Sequence, residues 1–205
     1  ADGSVTRLEL RSNFLMGTLP AEIANLEALQ VLDVSTVPLS GTIPPAFSVL
    51  TNLRELKVDR TLISGSLPTT VGRMRSMRSL TATRSMLSGT VPAQSGSMGA
   101  LTQMSLTRTG VSGTIPASLS NAQEMLAIEF DQTVISGTLP PQLGNLKLLE
   151  DLDIDDIALS GTLPPSYAAM TSLKYIELDG SITRLSGTLP PEYGNLVNLV
   201  DLDLD

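Results

Sequence analysis

The sequence predicts an α/β-type solenoid, a right-handed superhelix with a parallel β-sheet on its concave face and loops or short 3-10 turns on its convex face. Two observations predict it. Apolar residues recur in seven columns along the chain, and glycine recurs every 24 residues six times in succession, with a last spacing of 26. These glycines are Gly17, Gly41, Gly65, Gly89, Gly113, Gly137, Gly161 and Gly187. One coil cannot bury its apolar residues alone, whereas stacked coils form a continuous core.

Each repeat contains the same elements in the same order. The pattern L-x-x-L-x-L, as at Leu149, Leu152 and Ile154, predicts a short strand, and neighbouring parallel strands lie about 4.8 Å apart. The glycine that follows permits a tight turn, and the proline after it ends the extended segment. Phrases such as PPEYGNL then predict a compact loop or a single helical turn on the convex side.

The repeats cover residues 1–205 and predict a single domain of eight full repeats and part of a ninth. Residue 205 falls within the ninth strand pattern, and solenoids need a polar cap over their last apolar layer. We therefore expect the chain to be a fragment of a longer protein.

Composition excludes several classes of function. Cysteine and histidine are both absent, which excludes Ser-His-Asp and Cys-His catalysis and the usual zinc ligand sets. The net charge of −8 argues against a general nucleic-acid-binding protein. No apolar run reaches the roughly 18 residues that span a bilayer. We therefore expect no enzyme activity, cofactor or nucleic-acid partner, and no membrane span in this segment.

The repeat resembles the plant-type leucine-rich repeat over the whole chain. In plant receptor ectodomains and polygalacturonase inhibitors an asparagine follows the strand, but that column here is rich in threonine, as at Thr61, Thr109 and Thr133. The threonines and the phrase SGTLPPEY resemble the promastigote surface antigens and proteophosphoglycans of trypanosomatid parasites such as Leishmania. This resemblance implies a cell-surface or secreted antigen that binds a host receptor or complement component.

The exposed positions of the predicted strands carry the candidate site. Their charge changes sign along the chain, because residues 1–120 carry 10 basic and 7 acidic side chains and residues 121–205 carry 3 and 14. Two carboxylate columns are expected in register, Glu129–Asp153–Glu177–Asp203 and Asp131–Asp155–Asp179–Asp205. The candidate ligand-binding residues of the concave face are Glu129, Asp131, Asp153, Asp155, Asp156, Glu177, Asp179, Arg54, Lys57, Arg60, Arg78, Arg84 and Arg108.

Segregated charge suits the orientation of a charged partner better than it suits solubility alone. We predict an extracellular module that binds a protein or glycoprotein ligand across coils 3 to 8. In this interpretation the arginines face the acidic part of the ligand and the carboxylates face its basic part. A solvated polar face that serves only solubility is the alternative.

Three further alternatives remain. Calcium could bind between pairs such as Asp153 and Asp155 with Glu177 and Asp179, although the loop of an EF-hand is absent. Glycoside hydrolysis also uses paired carboxylates, but stacked coils bring carboxylates together almost anywhere, so the pairing is uninformative. Columns of serine and threonine flank the repeated glycine, and a structural or ice-binding solenoid could use them, although such residues also bond the backbone in turns.

Overall fold

A computed structural model describes residues 4–205. Nine parallel strands form one sheet in which each strand pairs with those of the neighbouring coils, in the order of the sequence. This sheet is called the concave sheet, and each coil takes the number of its strand there. The strands are Arg7–Glu9, Val31–Asp33, Glu55–Lys57, Ser79–Thr81, Gln103–Ser105, Ala127–Glu129, Asp151–Asp153, Tyr175–Glu177 and Asp201–Asp203.

Apolar side chains set the register of the concave sheet. Leu32 pairs with Leu56, Leu56 with Leu80, and Ile128 with Leu152, and all five are buried. A shift of one residue would turn these side chains to solvent, so burial of one face fixes the register. The predicted solenoid and its sheet are therefore confirmed.

A second run of parallel strands was not predicted. It follows the concave sheet in coils 1 to 8 and includes the repeated glycine in six of them, so most of these glycines lie in strands rather than in an isolated tight turn. Its six-stranded part comprises Ser64–Gly65, Met86–Thr90, Gly110–Gly113, Val134–Thr138, Ala158–Gly161 and Arg184–Leu185. A two-stranded part comprises Gly17–Thr18 and Leu39–Ser40. We call these strands together the second sheet.

Gly41, which directly follows the strand Leu39–Ser40, shows why the repeat needs glycine at this position. Its φ is +78°, a conformation that side chains other than glycine rarely adopt. A Cβ atom at this position would also stand 2.8 Å from Cγ2 of Thr18 in the preceding coil. Both the backbone conformation and the contact between coils therefore require glycine.

The convex side consists of short 3-10 helices, as the loop phrases predicted. Each begins after a proline with extended backbone, such as Pro92 with φ −66° and ψ 137°. The helices are Ala21–Asn25, Pro45–Val49, Thr69–Arg73, Ala93–Ser97, Ala117–Asn121, Pro141–Asn145, Pro165–Ala169 and Pro191–Asn195. The part of the chain that the structure describes contains no helix long and apolar enough to cross a membrane.

One core column lies beneath these convex helices. It contains large apolar or aromatic residues in most coils, including Phe47, Leu143 and Tyr167, all buried. Coil 4 places Ser95 in this column, fully buried, and its hydroxyl has no hydrogen-bond partner within residues 4–205. A buried hydroxyl without a partner costs stability, so coil 4 has the weakest convex core.

The threonine column after the strand has a local role. The Thr61 hydroxyl donates a hydrogen bond to the carbonyl of Val58 at 2.7 Å, and Thr109 bonds Leu106 in the same way at 2.6 Å. These bonds stay within one coil. Where the column holds threonine, it therefore closes the turn after the strand rather than joining neighbouring coils.

Candidate functional site

The two predicted carboxylate columns are present on the concave sheet. Glu129 pairs with Asp153, Asp153 with Glu177, and Glu177 with Asp203. The second column follows at the end of the strands, where the amide of Asp156 donates to the carbonyl of Asp179 at 2.9 Å. The structure therefore brings together the candidate residues Glu129, Asp131, Asp153, Asp155, Glu177 and Asp179.

The alternation of inward and outward side chains along a strand does not account for the position of every candidate residue. Arg60, Arg84 and Arg108 lie beyond the ends of their strands, in a turn where φ is +53°, +56° and +57°. Asp156 occupies the same turn with φ +48°. These four residues line the edge of the concave sheet rather than its face, because the strands end three residues earlier.

Some positions expected to face solvent are buried. Asp33, Thr81 and Ser105 lie on the concave sheet but are 3%, 8% and 2% exposed. The neighbouring columns cover them, and their polar atoms bond other coils, as when the Thr81 hydroxyl donates to Oδ2 of Asp59 at 2.7 Å. In a sheet of three-residue strands, neighbouring side chains can cover an outward position.

The carboxylates of coil 6 are partly engaged within the protein. The side-chain amide of Gln103 donates a hydrogen bond to Oε1 of Glu129 at 2.9 Å. The hydroxyl of Thr107 donates to Oδ1 of Asp131. Polar side chains of coil 5 therefore stabilise the negative charge of both acids.

In coil 7, Glu150 pairs with Lys174 at 2.6 Å, but Asp153 and Asp155 each keep one oxygen without a partner among the described residues. Oδ1 of Asp153 and Oδ1 of Asp155 are buried and accept no hydrogen bond from any residue that the structure describes. Oxygen atoms of Asp131, Asp153 and Asp155 all lie within 4.8 Å of one another. We call these three residues the acidic cluster. A positively charged group of a ligand would compensate the lost hydration of these carboxylates and offset their mutual repulsion.

Burial and repulsion shift the acidity of this region. Burial, with the charges of Asp131 and Asp155 next, raises the pKa of Asp153 to about 8. Burial followed by the charge of Asp131 raises the pKa of Asp155, and burial followed by the charge of Asp151 raises that of Glu177. Asp153 is therefore largely protonated at neutral pH and becomes fully charged only in alkaline solution.

The basic candidates are more exposed. Lys57 forms an ion pair with Glu55 of its own strand at 2.8 Å, so its charge is locally compensated. Arg54, Arg60, Arg78, Arg84 and Arg108 are exposed, and none forms an ion pair with a residue in the range 4–205. The basic and acidic candidates thus remain separate along the solenoid, with the arginines in coils 3 to 5.

Calcium coordination finds little support in the geometry. The acidic cluster supplies one close oxygen from each of three carboxylates. Calcium takes six to eight oxygen ligands, so these groups alone do not complete its coordination. No calcium site is proposed.

The sequence interpretation did not separate the roles of the serine and threonine columns. Serine hydroxyls before the glycine donate to glycine carbonyls of the preceding coil, as Ser64 does to Gly41 at 3.1 Å and Ser112 to Gly89 at 3.0 Å. The threonine hydroxyls after the glycine are exposed and have no hydrogen-bond partner among the described residues. These threonines are Thr18, Thr42, Thr90, Thr114, Thr138, Thr162 and Thr188.

Comparisons with solved structures identify the fold. The chain is 33% identical to a plant peptide hormone receptor, RGFR1, in complex with RGF2, with a TM-score of 0.88 over 92% of this chain and 30% of the receptor chain. It is 30% identical to the leucine-rich repeat ectodomain of the Arabidopsis thaliana receptor kinase GASSHO1/SCHENGEN3 in complex with CASPARIAN STRIP INTEGRITY FACTOR 2, with a TM-score of 0.90 over 93% of this chain and 23% of the ectodomain. The chain therefore spans under a third of either receptor chain.

A bacterial protein shares the same architecture. The Leptospira interrogans leucine-rich repeat protein LIC12759 is 27% identical, with a TM-score of 0.80 over 94% of this chain and 47% of that protein. No protein-family model matches the chain, and no curated protein sequence matches it. The leucine-rich repeat fold is confirmed, whereas the resemblance to Leishmania antigens is not shown by these neighbours.

Proposed function

We propose, from the leucine-rich repeat fold of the chain, that it is a non-catalytic extracellular module whose concave sheet binds a peptide or protein. The acidic cluster carries this proposal, because its carboxylate oxygens lie within 4.8 Å of one another and two of them are buried without a partner among residues 4–205. A lysine or arginine side chain, or the amino terminus of a peptide, would supply the missing positive charge. The receptors RGFR1 and GASSHO1/SCHENGEN3 are in complex with RGF2 and CASPARIAN STRIP INTEGRITY FACTOR 2, and this supports a protein ligand.

The distribution of charge gives the proposed ligand an orientation. Its basic part lies over coils 6 to 8, against Glu129, Asp153 and Glu177. Its acidic part lies toward coils 3 to 5, where the exposed arginines have no ion-pair partner among the residues described. Complementary charge of this kind speeds association and sets the register of a bound chain.

The identity of the partner rests on the sequence resemblance alone. That resemblance implies a parasite surface antigen that engages a host receptor or complement component. The plant receptor neighbours support a receptor ectodomain, whereas the inhibitor interpretation rests on the repeat pattern alone. All of these interpretations require the same concave sheet, which the first experiment tests.

We expect a synthetic peptide with a lysine-rich half and a glutamate-rich half to bind the native chain. At pH 9, where Asp153 is charged, the variant with Asp153→Asn, Asp155→Asn and Glu177→Gln should bind it at least about tenfold more weakly, because charged contacts of this kind are lost. Fluorescence anisotropy at low salt measures this. Affinity for the native chain should also rise from pH 6 to pH 9, since Asp153 ionises with a pKa of about 8.

A matched control variant removes three negative charges at positions away from the concave sheet. Glu22, Glu27 and Glu192 are exposed and lie away from the concave sheet, so their replacement by glutamine should leave affinity unchanged. If both triple variants bound the peptide equally weakly, affinity would depend on net charge alone, which would contradict the proposal. Binding abolished by EDTA alone would also contradict it, in favour of calcium.

A second candidate function is binding to ice through the threonine column of the second sheet. The observation that favours it is the row of exposed hydroxyls without partners in the described chain, which are threonine in coils 1, 2 and 4 to 8 and Ser66 in coil 3. Each methyl group packs beside the next glycine, as Thr18 does at Gly41, which holds the side chain in place. A rigid, regular and uncharged array of this kind can order water.

Thermal hysteresis of a freezing solution tests this candidate. We expect the native chain to lower the freezing temperature of the solution below its melting temperature. The variant with Thr114→Lys and Thr138→Lys should lose this difference, because two long charged side chains interrupt the array. Gln142→Lys, exposed on a convex helix, serves as the control. A native chain without hysteresis would eliminate the candidate.

A further inference from the structure

A turn on the convex side of coil 3 presents two arginines close together in sequence. Arg73 is the last residue of the helix Thr69–Arg73, and Arg75 follows one residue later. The amide of Arg75 donates a hydrogen bond to the carbonyl of Arg73 at 2.9 Å, which fixes the turn between them. Both side chains are exposed.

The same turn exists in other coils but carries different residues. The amide of Gln123 bonds the carbonyl of Asn121, and the amide of Lys147 bonds that of Asn145, both at 3.0 Å. In coil 2 the pair is Val49 and Thr51, and in coil 4 it is Ser97 and Gly99. Coil 3 therefore places two positive charges between two neighbouring turns that carry none.

A groove of about 910 Å³ crosses coils 2 to 4 at this turn. Its lining consists of Thr51, Asn52, Thr69, Thr70, Gly72, Arg73, Arg75, Ser76, Gln94 and Ser97. None of these lining residues is a carboxylate. The groove thus combines two guanidinium groups with hydroxyl and amide groups, a set rich in hydrogen-bond donors.

Some polar side chains of the groove bond the backbone of a neighbouring coil, and others form no hydrogen bond within residues 4–205. Asn52 donates to the carbonyl of Glu27 at 3.0 Å and Thr70 to that of Pro45 at 3.3 Å, so both side chains are held by the fold. The side chains of Thr51, Gln94 and Ser97 form no hydrogen bond within residues 4–205. The groove thus combines two side chains held by the backbone with three that are unpaired among the described residues.

Neither arginine is neutralised by the protein. The ion pairs among the described residues involve Arg7, Arg11, Lys57 and Lys174, and none involves Arg73 or Arg75. In a chain with a net charge of −8, two arginines without counter-ions in one groove form a local positive region.

We propose that this groove binds a saccharide that carries sulfate or phosphate ester groups. The planar guanidinium groups of Arg73 and Arg75 match such anions through paired hydrogen bonds. The neutral hydroxyl and amide groups around them are suited to sugar hydroxyls. The site lies on the convex side and is independent of the peptide site on the concave sheet.

Binding of a heparin-derived sulfated hexasaccharide by isothermal titration calorimetry tests the proposal, with two further probes to identify the anion. We expect the native chain to bind the sulfated hexasaccharide at least about tenfold more tightly than the same sugar after desulfation. Glucose 6-phosphate, as the second arm, shows whether a phosphate ester is also accepted. Binding should weaken with added salt because it depends on charge.

Two double variants of equal charge locate the site. Arg73→Gln with Arg75→Gln should weaken binding of the sulfated hexasaccharide at least about tenfold, since two charged contacts are lost. Lys147→Gln with Arg184→Gln, exposed and outside both proposed sites, should leave it unchanged. All four residues are exposed, so both variants should keep the circular dichroism spectrum and melting temperature of the native chain. Equal affinity of the two variants, or binding of the desulfated sugar as tightly as the sulfated one, would overturn the proposal.

Discussion

Replacement of Gly96 by alanine is expected to destabilise the solenoid by about 3 kcal/mol, because the added atom has no room between two coils. A Cβ atom at Gly96 would stand 1.9 Å from the carbonyl oxygen of Ser118 and 2.6 Å from its carbonyl carbon. Both belong to the backbone of the next coil, so no side-chain rotation relieves the contact. The φ of Gly96 lies outside the left-handed region, so backbone strain does not add to the effect. The loss of stability therefore reports only the contact between the added Cβ atom and the next coil.

Gly99 provides the control within the same coil. A Cβ atom there would meet no heavy atom within 4 Å, and its φ is likewise outside the left-handed region. Gly99→Ala should therefore change the free energy of unfolding by well under 1 kcal/mol. Urea denaturation followed by circular dichroism measures both variants. Equal stability of the two would contradict the contact between coils that the structure shows at Gly96.

Replacement of Asp153 by asparagine is expected to make the chain more stable in alkaline solution, by about 2 kcal/mol at pH 9 after allowance for solvent screening. The reason is the raised pKa of this carboxyl group, which burial and the neighbouring charges bring to about 8 from an ordinary value of 3.8. Between these two values the folded chain binds the proton more tightly than the unfolded chain. The free energy of unfolding of the native chain should therefore fall as pH rises from about 4 to about 8.

The asparagine variant removes this dependence because its amide does not ionise. Its stability should match that of the native chain near pH 4 and exceed it progressively toward pH 9, as measured by urea denaturation at each pH. Glu192→Gln removes one negative charge at an exposed site on the convex side and should keep the native pH profile. An unchanged slope in the Asp153→Asn variant would show that this carboxyl group is ionised at neutral pH in the folded chain.

The sequence predicted the features that depend on the period of the repeat. Apolar columns and spacing define the strands and the register, so the stacking of Glu129, Asp153 and Glu177 followed without coordinates. The convex turns were predicted from proline for the same reason, since its restricted φ recurs at the start of each helix.

Features that depend on contacts between coils were less accessible. The second sheet was missed because a segment centred on Ser-Gly-Thr has little β-propensity and forms strands only when stacked against equivalent coils. The burial of Asp33 depends on neighbouring columns, and the positive φ of Arg60 depends on the turn geometry. The hydrogen bonds from Gln103 and Thr107 to Glu129 and Asp131 also had no sequence signal. The same holds for the buried oxygens of Asp153 and Asp155, which have no partner in the described part of the chain.

The serine beneath the convex helix of coil 4 affects how cooperatively the chain unfolds. In a solenoid each coil is stabilised only by its neighbours, so a weak layer divides the array into blocks that can open separately. Ser95 supplies such a layer between the Phe47 side of the core and the Tyr167 side. Because most of the arginines lie in or before coil 4 and the carboxylate columns after it, an opening at this layer would disconnect the two charged surfaces while each half kept its own fold.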